Sequence, residues 1–535
     1  MAANGASADP TAILDRPAVA HDALPSLSGP LVSPMGARLY KAQFAPLYDF
    51  RLRMLRKKVR AFAQARWESQ GTTTASHQAG TNRSADVKGK AKARPSSSLR
   101  EQAHAKFVSR VLDVQQGDVC YIIGTVYCSM LLKPDVLEDL TRDQWLPPQP
   151  VRTKYFDADK DEIFLEDESG RVRLTGQALL PYSRGGANLR NQIVTGVVIG
   201  VLGTETKNGD FETADIVFPD GSSALNAPSE EEQNTEMLAD IHVSDDQWIA
   251  LVSGLEVGAD EQVAGEPDAD ANGEGTSLRP DSELRLLMLS EWLSGQLGED
   301  EDRKESRNIV SLILAGNSLA EPVRSDDEKR GTRKALAASK PLTEAPTPPK
   351  IFDTYLSDMA ATMRVHLLPG EKDPAPVVLP QQPIHHALLP KSARWSLLKR
   401  ETNPAWFGLG GKKLLGTSGQ NIDDIFKYME EGQDSRLRMA FQTLRWGHVA
   451  PTAPDTLWCI PFTDRDPFLL LERPDIYFIG NQPRFATGLY APAMEKSEAR
   501  PTRVVLLPRF CETGEVALVN LRTLECKVEK IEVDL

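Results

Sequence analysis

Two stretches close together decide how this chain is read: LLGTSGQNIDDIFKYM, Leu414 to Met429, and RWGHVAPTAPDTL, Arg445 to Leu457. The first has the form of a strand, a Gly/Ser turn and a helix, with Asn421 as its expected cap and Asp423 and Asp424 in the first turn. The second is a helix end followed by Pro451 and Pro454, which forbid further helix and favour an extended loop. A strand feeding a helix through a Gly-rich turn belongs to an α/β sheet domain. The LGTSGQN turn could receive phosphate at a helix N-terminus, but it has no P-loop lysine.

Around this core the pattern repeats. WIALVSGLEVG, NIVSLILAGN and VHLLPG read as buried strands, and SELRLLMLSEWLSGQLG and IFDTYLSDMAATM as helices between them. IYFIGN, TRVVLLPRF and EVALVNLRTLECKVEKIEV are strand-rich and point to a second sheet packed on the first. This two-sheet α/β domain is expected over residues 240–535, with surface insertions near 256–283 (Gly-rich, acidic) and 321–350 (charged, then Pro-rich).

Upstream, residues 99–227 carry five short strands: VCYIIGTVYC, DEIFLEDES, GRVRLTGQ, IVTGVVIGVLGTE and DFETADIVFPD. Five strands of this length suggest a small closed all-β barrel of the OB type. Few aromatics are exposed on them, and EIFLEDES is acidic, so a protein-binding barrel fits better than one that stacks bases. Residues 69–98 form a low-complexity linker, and residues 1–36 a tail of disordered composition. Between them, residues 37–68 predict a helix with an apolar face of Phe50, Met54, Leu55, Val59, Phe62 and Trp67. The opposite face, Arg51, Arg53, Arg56, Lys57, Lys58, Arg60 and Arg66, reads as solvated rather than as a phosphate-binding ridge.

Bulk composition narrows the function classes. A formal net charge of −13 over 535 residues, with a pI near 5.3, opposes direct nucleic-acid binding by the whole surface. Five scattered cysteines without a CxxC pair argue against a disulfide framework or a structural zinc site. No apolar run approaches the ~20 residues of a membrane span, and no signal peptide is evident, so a soluble intracellular protein is expected.

A two-sheet domain of this kind resembles the calcineurin-like metallophosphoesterases, whose DxH, GD, GNH and GHxH motifs follow successive strands and hold two metals. On this chain the resemblance puts Gly254 and Glu256 in the first motif (LVSGLEVG) and Asn317 in the second (ILAGNSLA). Glu371 and Lys372 stand in the third (LLPGEKDP), and Asn481 and Pro483 in the last (YFIGNQPRF). Glycine has no donor, Asn is a weak bridge, and Lys repels a dication. None of the eight histidines falls at a motif position. No catalytic residue, metal or cofactor is therefore expected. The adjacent pair His385 and His386 should point to opposite faces, and each of these, like His448, reads as a hydrogen-bonded structural histidine.

GTSGQN and HVAPTAPDTL, with LPPQPVRTKY (Leu146 to Tyr155), LPGEKDPAPVVLPQQPIH (Leu368 to His385), LVNLRTLEC (Leu518 to Cys526), YFIGNQPRF and FLEDE, carry a more specific likeness. Over residues 36 to 535 the chain resembles the small, or B, subunits of eukaryotic DNA polymerase delta, departing in its linker and acidic insertions. That resemblance implies a non-catalytic nuclear protein made of an OB barrel and an inactive phosphoesterase domain. Its expected partners are the cysteine-rich C-terminal domain of the catalytic chain, whose iron–sulfur cluster belongs to that chain, and a third subunit that links to the sliding clamp. The polymerase zeta catalytic subunit is a further expected partner, with DNA contacted only indirectly. Two alternatives stay open: a small subunit of another replicative polymerase, and a metal-dependent phosphodiesterase using Glu256, Glu371 and Asp373.

Overall fold

The computed structural model describes residues 16–34, 36, 41–68, 105–134, 152–181, 189–220, 247–258, 282–298, 300–321, 347–430, 432, 435–491 and 501–532. The low-complexity linker, residues 1–15 and most of both insertions lie outside them.

The barrel is built from β2 (Lys106–Phe107), β3 (Val119–Ser129), β4 (Glu162–Glu166), β5 (Arg171–Thr175), β6 (Val198–Glu205) and β7 (Phe211–Val217), following β1 (His21–Asp22) and helix α1 (Ala45–Ala63). Strand order is β2-β3-β4-β5-β7-β6, and β6 pairs back onto β3, which closes the barrel as the five strand patterns predict. Alternation along β3 explains its unbroken apolar run. Cys120, Ile122, Val126 and Cys128 line the barrel interior, while Tyr121 and Ile123 face outward and are covered by α1 and Trp67.

Two six-stranded sheets make the rest. The first, ordered β11-β10-β9-β8-β17-β18, contains β8 (Trp248–Val252), β9 (Ile309–Ala315), β10 (Arg364–Leu368), β11 (Leu398–Arg400), β17 (Glu515–Asn520) and β18 (Cys526–Lys530). The second, ordered β1-β12-β13-β14-β16-β15, contains β12 (Ala405–Leu409), β13 (Lys412–Thr417), β14 (Ile476–Gln482), β15 (Ala486–Tyr490) and β16 (Thr502–Pro508) besides β1. The terminal strands thus divide: β14 and β16 enter the second sheet, but β17 and β18 return antiparallel to the first.

The layers follow from two-residue periodicity. Leu312 and Leu314 of β9 face helices α2 (Ser282–Ser294) and α4 (Pro348–Thr362), while Ile313 and Ala315 face the second sheet; a register shift at Val310 turns that residue to the second sheet as well. Helix α3 (Asp300–Asn308) leads directly into β9. In β14, Ile476 and Phe478 point between the sheets. Tyr477 and Ile479 point outward, where α5 (Gln420–Tyr428) and α6 (Arg436–Trp446) cover them. That outer face shares one continuous core with the barrel interior, so barrel and sheets pack as a single body.

Several expectations change. Residues 16–34 are not a loose tail: β1 pairs with β12, Leu31 is buried, and the Ser33 amide donates to Gln382 Oε1 at 2.9 Å. The Arg16 guanidinium donates to the carbonyls of Leu293, Ser306 and Ile309. The buried stripe of α1 is Leu47, Leu52, Leu55, Val59 and Ala63, so the predicted Met54 lies on the exposed side. Glu256 to Gly258 belong to the sheet-end loops and Pro348 to Lys350 open α4, so both insertions are shorter than expected. Residues 451–456 coil through turns instead of extending, with Thr456 N donating to Thr452 O.

The largest correction concerns Arg51, placed on a solvated face by its spacing. It is fully buried. Nε donates to Asp466 at 2.8 Å, Nη1 to the carbonyls of Pro451 (2.8 Å) and Gly196 (3.2 Å), and Nη2 to Ala453 O at 2.9 Å. His448 shares the same carboxylate oxygen at 2.9 Å, and its Nδ1 accepts the Ala450 amide, so Nε2 carries the proton. Of the basic face, Arg53 is solvated but pairs with Asp49, Arg56 meets Glu168, and Arg66 meets Asp215.

Removing one partner of a buried ion pair strands the other, so Arg51→Ala or Asp466→Ala should cost about 3–5 kcal/mol in denaturant unfolding. Burial and the Arg51 guanidinium hold the His448 pKa down at about 4. The unfolded imidazole binds its proton below pH ~6.5 and the folded one does not. Stability should therefore fall as pH drops from ~6.5 toward 4, and His448→Gln should flatten that part of the pH–stability profile.

Candidate functional site

The C-terminal ends of β8, β9, β10, β13, β14 and β16 converge, as open α/β sheets require of a site crevice. The turns there are tight. Gly254 (φ +63°), Glu256 (+46°), Gly316 (+85°), Asn317 (+52°), Gly419 (+104°) and Asn481 (+56°) all take left-handed backbone. Asn tolerates that region better than most residues, which gives Asn317 and Asn481 a backbone role besides any side-chain one.

The side chains close on one another. The Asn481 amide nitrogen donates to Ser418 O (2.9 Å) and Ser418 Oγ (3.1 Å), and its backbone N–H donates to Ser253 Oγ (2.9 Å). Asn317 Oδ1 accepts the Lys372 amide at 3.1 Å. Lys372 Nζ sits 2.7 Å from the buried Glu256 carboxylate, with Arg509 3.9 Å away on its other oxygen. Asp373 is buried beneath, accepting the amides of Leu319 (2.9 Å) and Gly370 (2.8 Å), and burial raises its pKa to about 6.

Packing leaves little room between these loops. A Cβ on Gly370 would lie 2.3 Å from Asn317 Oδ1, one on Gly316 2.1 Å from Ser418 Oγ, and one on Gly254 2.9 Å from Asn481 Oδ1. Gly254, Glu256, Asn317, Lys372 and Asn481 are thus brought together. Glu371 and Pro483 are exposed and stand outside the network of bonds among the described residues.

Ser253, Ser418 and Arg509 complete this site, and no spacing in the sequence marks them. The TSGQN turn is bonded to protein groups: Ser418 N donates to Asn403 Oδ1, and Gln420 meets Gln381. Asn421 caps nothing, because Gly419 occupies the cap; its amide donates to Val449 O and the Tyr477 hydroxyl. Asp423 pairs with Arg436, and Asp424 accepts from Thr456. His385 and His386 lie in a 3-10 turn, so their rings stand 4.2 Å apart instead of on opposite faces, with His385 Nδ1 accepting the Ala387 amide.

Comparison with known proteins assigns both regions. Residues 43–216 match the family of the DNA polymerase delta subunit OB-fold domain, and residues 250–487 match the family of the B subunit of DNA polymerases alpha and epsilon. The chain is 36% identical to the Arabidopsis thaliana "DNA polymerase delta small subunit" over 78% of its length and 83% of the relative's. It is 30% identical to the protein of the same name from Saccharomyces cerevisiae over 96% of its length and 94% of the relative's. It is also 34% identical to the Drosophila melanogaster "DNA polymerase delta subunit 2" over 78% and 85% respectively. The chain belongs to the family of DNA polymerase delta small subunits. Membership rests on relatives that span the barrel and both sheets, so it assigns the whole described body and not one module. The barrel match and the named relatives select the delta branch over alpha and epsilon.

The crowding at the site makes a contrast testable. Gly316→Ala combines a left-handed backbone with a Cβ inside Ser418, and should destabilise by about 2 kcal/mol or more in chemical denaturation. Glu371→Ala, at an exposed position, should stay within about 0.5 kcal/mol of the parent.

Proposed function

We propose that this chain is a non-catalytic scaffold of the DNA polymerase delta complex, and that its sheet-end site is the relic of a phosphoesterase centre. The observation that carries the reading is the Lys372–Glu256 contact at 2.7 Å. It puts an ammonium where a hydrolase needs a dication, and leaves Gly254, Asn317 and Asn481 as the groups around it. A two-metal site needs bridging carboxylates and an open coordination position for water. The groups here are neutral or already paired, and they bond to each other across strand ends. The residues do not fit a resident metal pair.

The role that remains is shape. In this reading the body holds the cysteine-rich C-terminal domain of the polymerase catalytic chain, whose iron–sulfur cluster stays with that partner. It also docks a third subunit that reaches the sliding clamp. The polymerase zeta catalytic chain is a further partner of the same surface, and the nucleus is the working compartment, in replication and repair. A net charge of −13 supports protein contacts over direct contact with DNA.

Affinity purification of the tagged full chain from cell extract tests this. Recovery of a B-family catalytic chain and a clamp-linking subunit in stoichiometric amounts, with no metal-stimulated phosphodiester hydrolysis from the purified chain, is the expected result. A stable lone protein with Mn²⁺- or Mg²⁺-dependent hydrolysis, abolished in Glu256→Gln and Asp373→Asn, would instead make the carboxylates ligands of an active phosphodiesterase.

A further inference from the structure

A second constellation lies away from the sheet-end loops, where the N-terminal strap crosses the edge of both sheets. His21 on β1, His366 on β10 and Glu401 just after β11 each offer a ligating atom, and these atoms lie within 4.8 Å of one another. Their positions are separated by 345 and 35 residues, so no motif announces them. The ring of His366 is fully buried and stacked on Phe407 at 4.1 Å, with the near-parallel His21 ring 5.3 Å away. Its Nδ1 meets Glu401 Oε1 at 2.9 Å. The Nε2 atoms of both His366 and His21 are buried without a hydrogen-bond partner.

Two buried imidazole nitrogens without a hydrogen-bond partner, beside a carboxylate, are a costly arrangement. We propose that His21, His366 and Glu401 form a binding site for a divalent first-row metal ion, zinc in particular, which clasps the N-terminal strap to the paired sheets. The donor set is borderline in softness, two imidazoles and one carboxylate, and suits zinc better than magnesium or calcium. Ligand atoms of a tetrahedral zinc shell stand about 3.3 Å apart, so occupation draws the three donors together and tightens β1 against β10 and the end of β11. The strap is otherwise held by the short β1–β12 pairing, the Arg16 bonds to three carbonyls and the Ser33–Gln382 contact.

The test uses the full chain, stripped with chelator and titrated with ZnCl2 by calorimetry and with Co²⁺ by visible absorption. One equivalent should bind, with a d–d spectrum typical of four-coordinate nitrogen and oxygen ligation. His21→Ala lies on the peripheral strap and Glu401→Gln keeps its volume, so both should fold in chelator with unchanged thermal midpoints. Each should weaken zinc binding by about tenfold or more. Zinc should also slow proteolytic cleavage around residues 16–34 in the parent chain and not in His21→Ala. Absence of saturable binding, or zinc binding and strap protection that survive both substitutions, would overturn the proposal. The second outcome would assign the metal to histidines elsewhere in the chain.

Discussion

Burying a guanidinium is worthwhile only when its donors are met, and Arg51 shows how much structure that demand can organise. Its acceptors come from three distant segments: Gly196 in the barrel, Pro451 and Ala453 in the turns after α6, and Asp466 further on. An isolated buried charge would cost many kcal/mol, so helix, barrel and sheet domain are constrained to meet in one arrangement. Asp466 answers with its pKa depressed by Arg51 and His448 despite full burial. Gly196 shows the tightness of the junction. At φ +88° a Cβ there would lie 1.9 Å from Pro451 O and 2.6 Å from Arg51 Nη1. The apolar packing around this knot is shared as well: Leu52, Leu55 and Val59 of α1 contact Ile123 and Val198 of the barrel and Leu469 beside the turns. The polar contacts set the register, and the apolar area supplies the bulk of the stabilisation.

How much of this is legible in the sequence depends on the length scale of the signal. Strands such as IVSLILA and VCYIIGTVYC declare themselves locally, because burial on both faces leaves a continuous apolar run whatever the partners are. Which sheet a strand joins is not local, so nothing in the final hairpin announces its return to the first sheet. The burial of Arg51 is hidden for a related reason. Helical spacing alone cannot distinguish a charge facing water from one facing a carboxylate 415 residues away. The Ala/Pro/Ser composition of the strap conceals its order, since a short segment can dock through backbone pairing and a few side chains without being apolar itself. Asn421 has the residue type of a cap, yet Gly419 in left-handed backbone occupies the position.

The candidate site is legible in a different way. Gly254, Glu256, Asn317, Lys372 and Asn481 can be named because the family resemblance puts its motifs at strand ends, and the strands themselves are legible. Their mutual contacts cannot be, nor can Ser253, Ser418 and Arg509, which owe their place to sheet pairing and not to spacing. Left-handed backbone at Asn317 and Asn481 also has no reliable sequence marker beyond the residue type itself.

Those contacts bear on what the fold can do. A hydrolytic crevice at strand ends works because its loops leave donor atoms unpaired and a space open for water and phosphate. Here Asn317 Oδ1 accepts the Lys372 amide, Glu256 is paired with Lys372, and Asp373 accepts backbone amides. The Asn481 N–H groups meanwhile tie β14 to Ser253 after β8 and to Ser418 after β13, so the loops of the two sheets are joined. Loops tied together in this way hold a fixed outer contour, and a fixed contour lowers the ordering cost of binding a partner. A closed set of strand ends and a preorganised outer surface are therefore two consequences of one set of bonds, and a preorganised surface suits an accessory subunit of DNA polymerase delta.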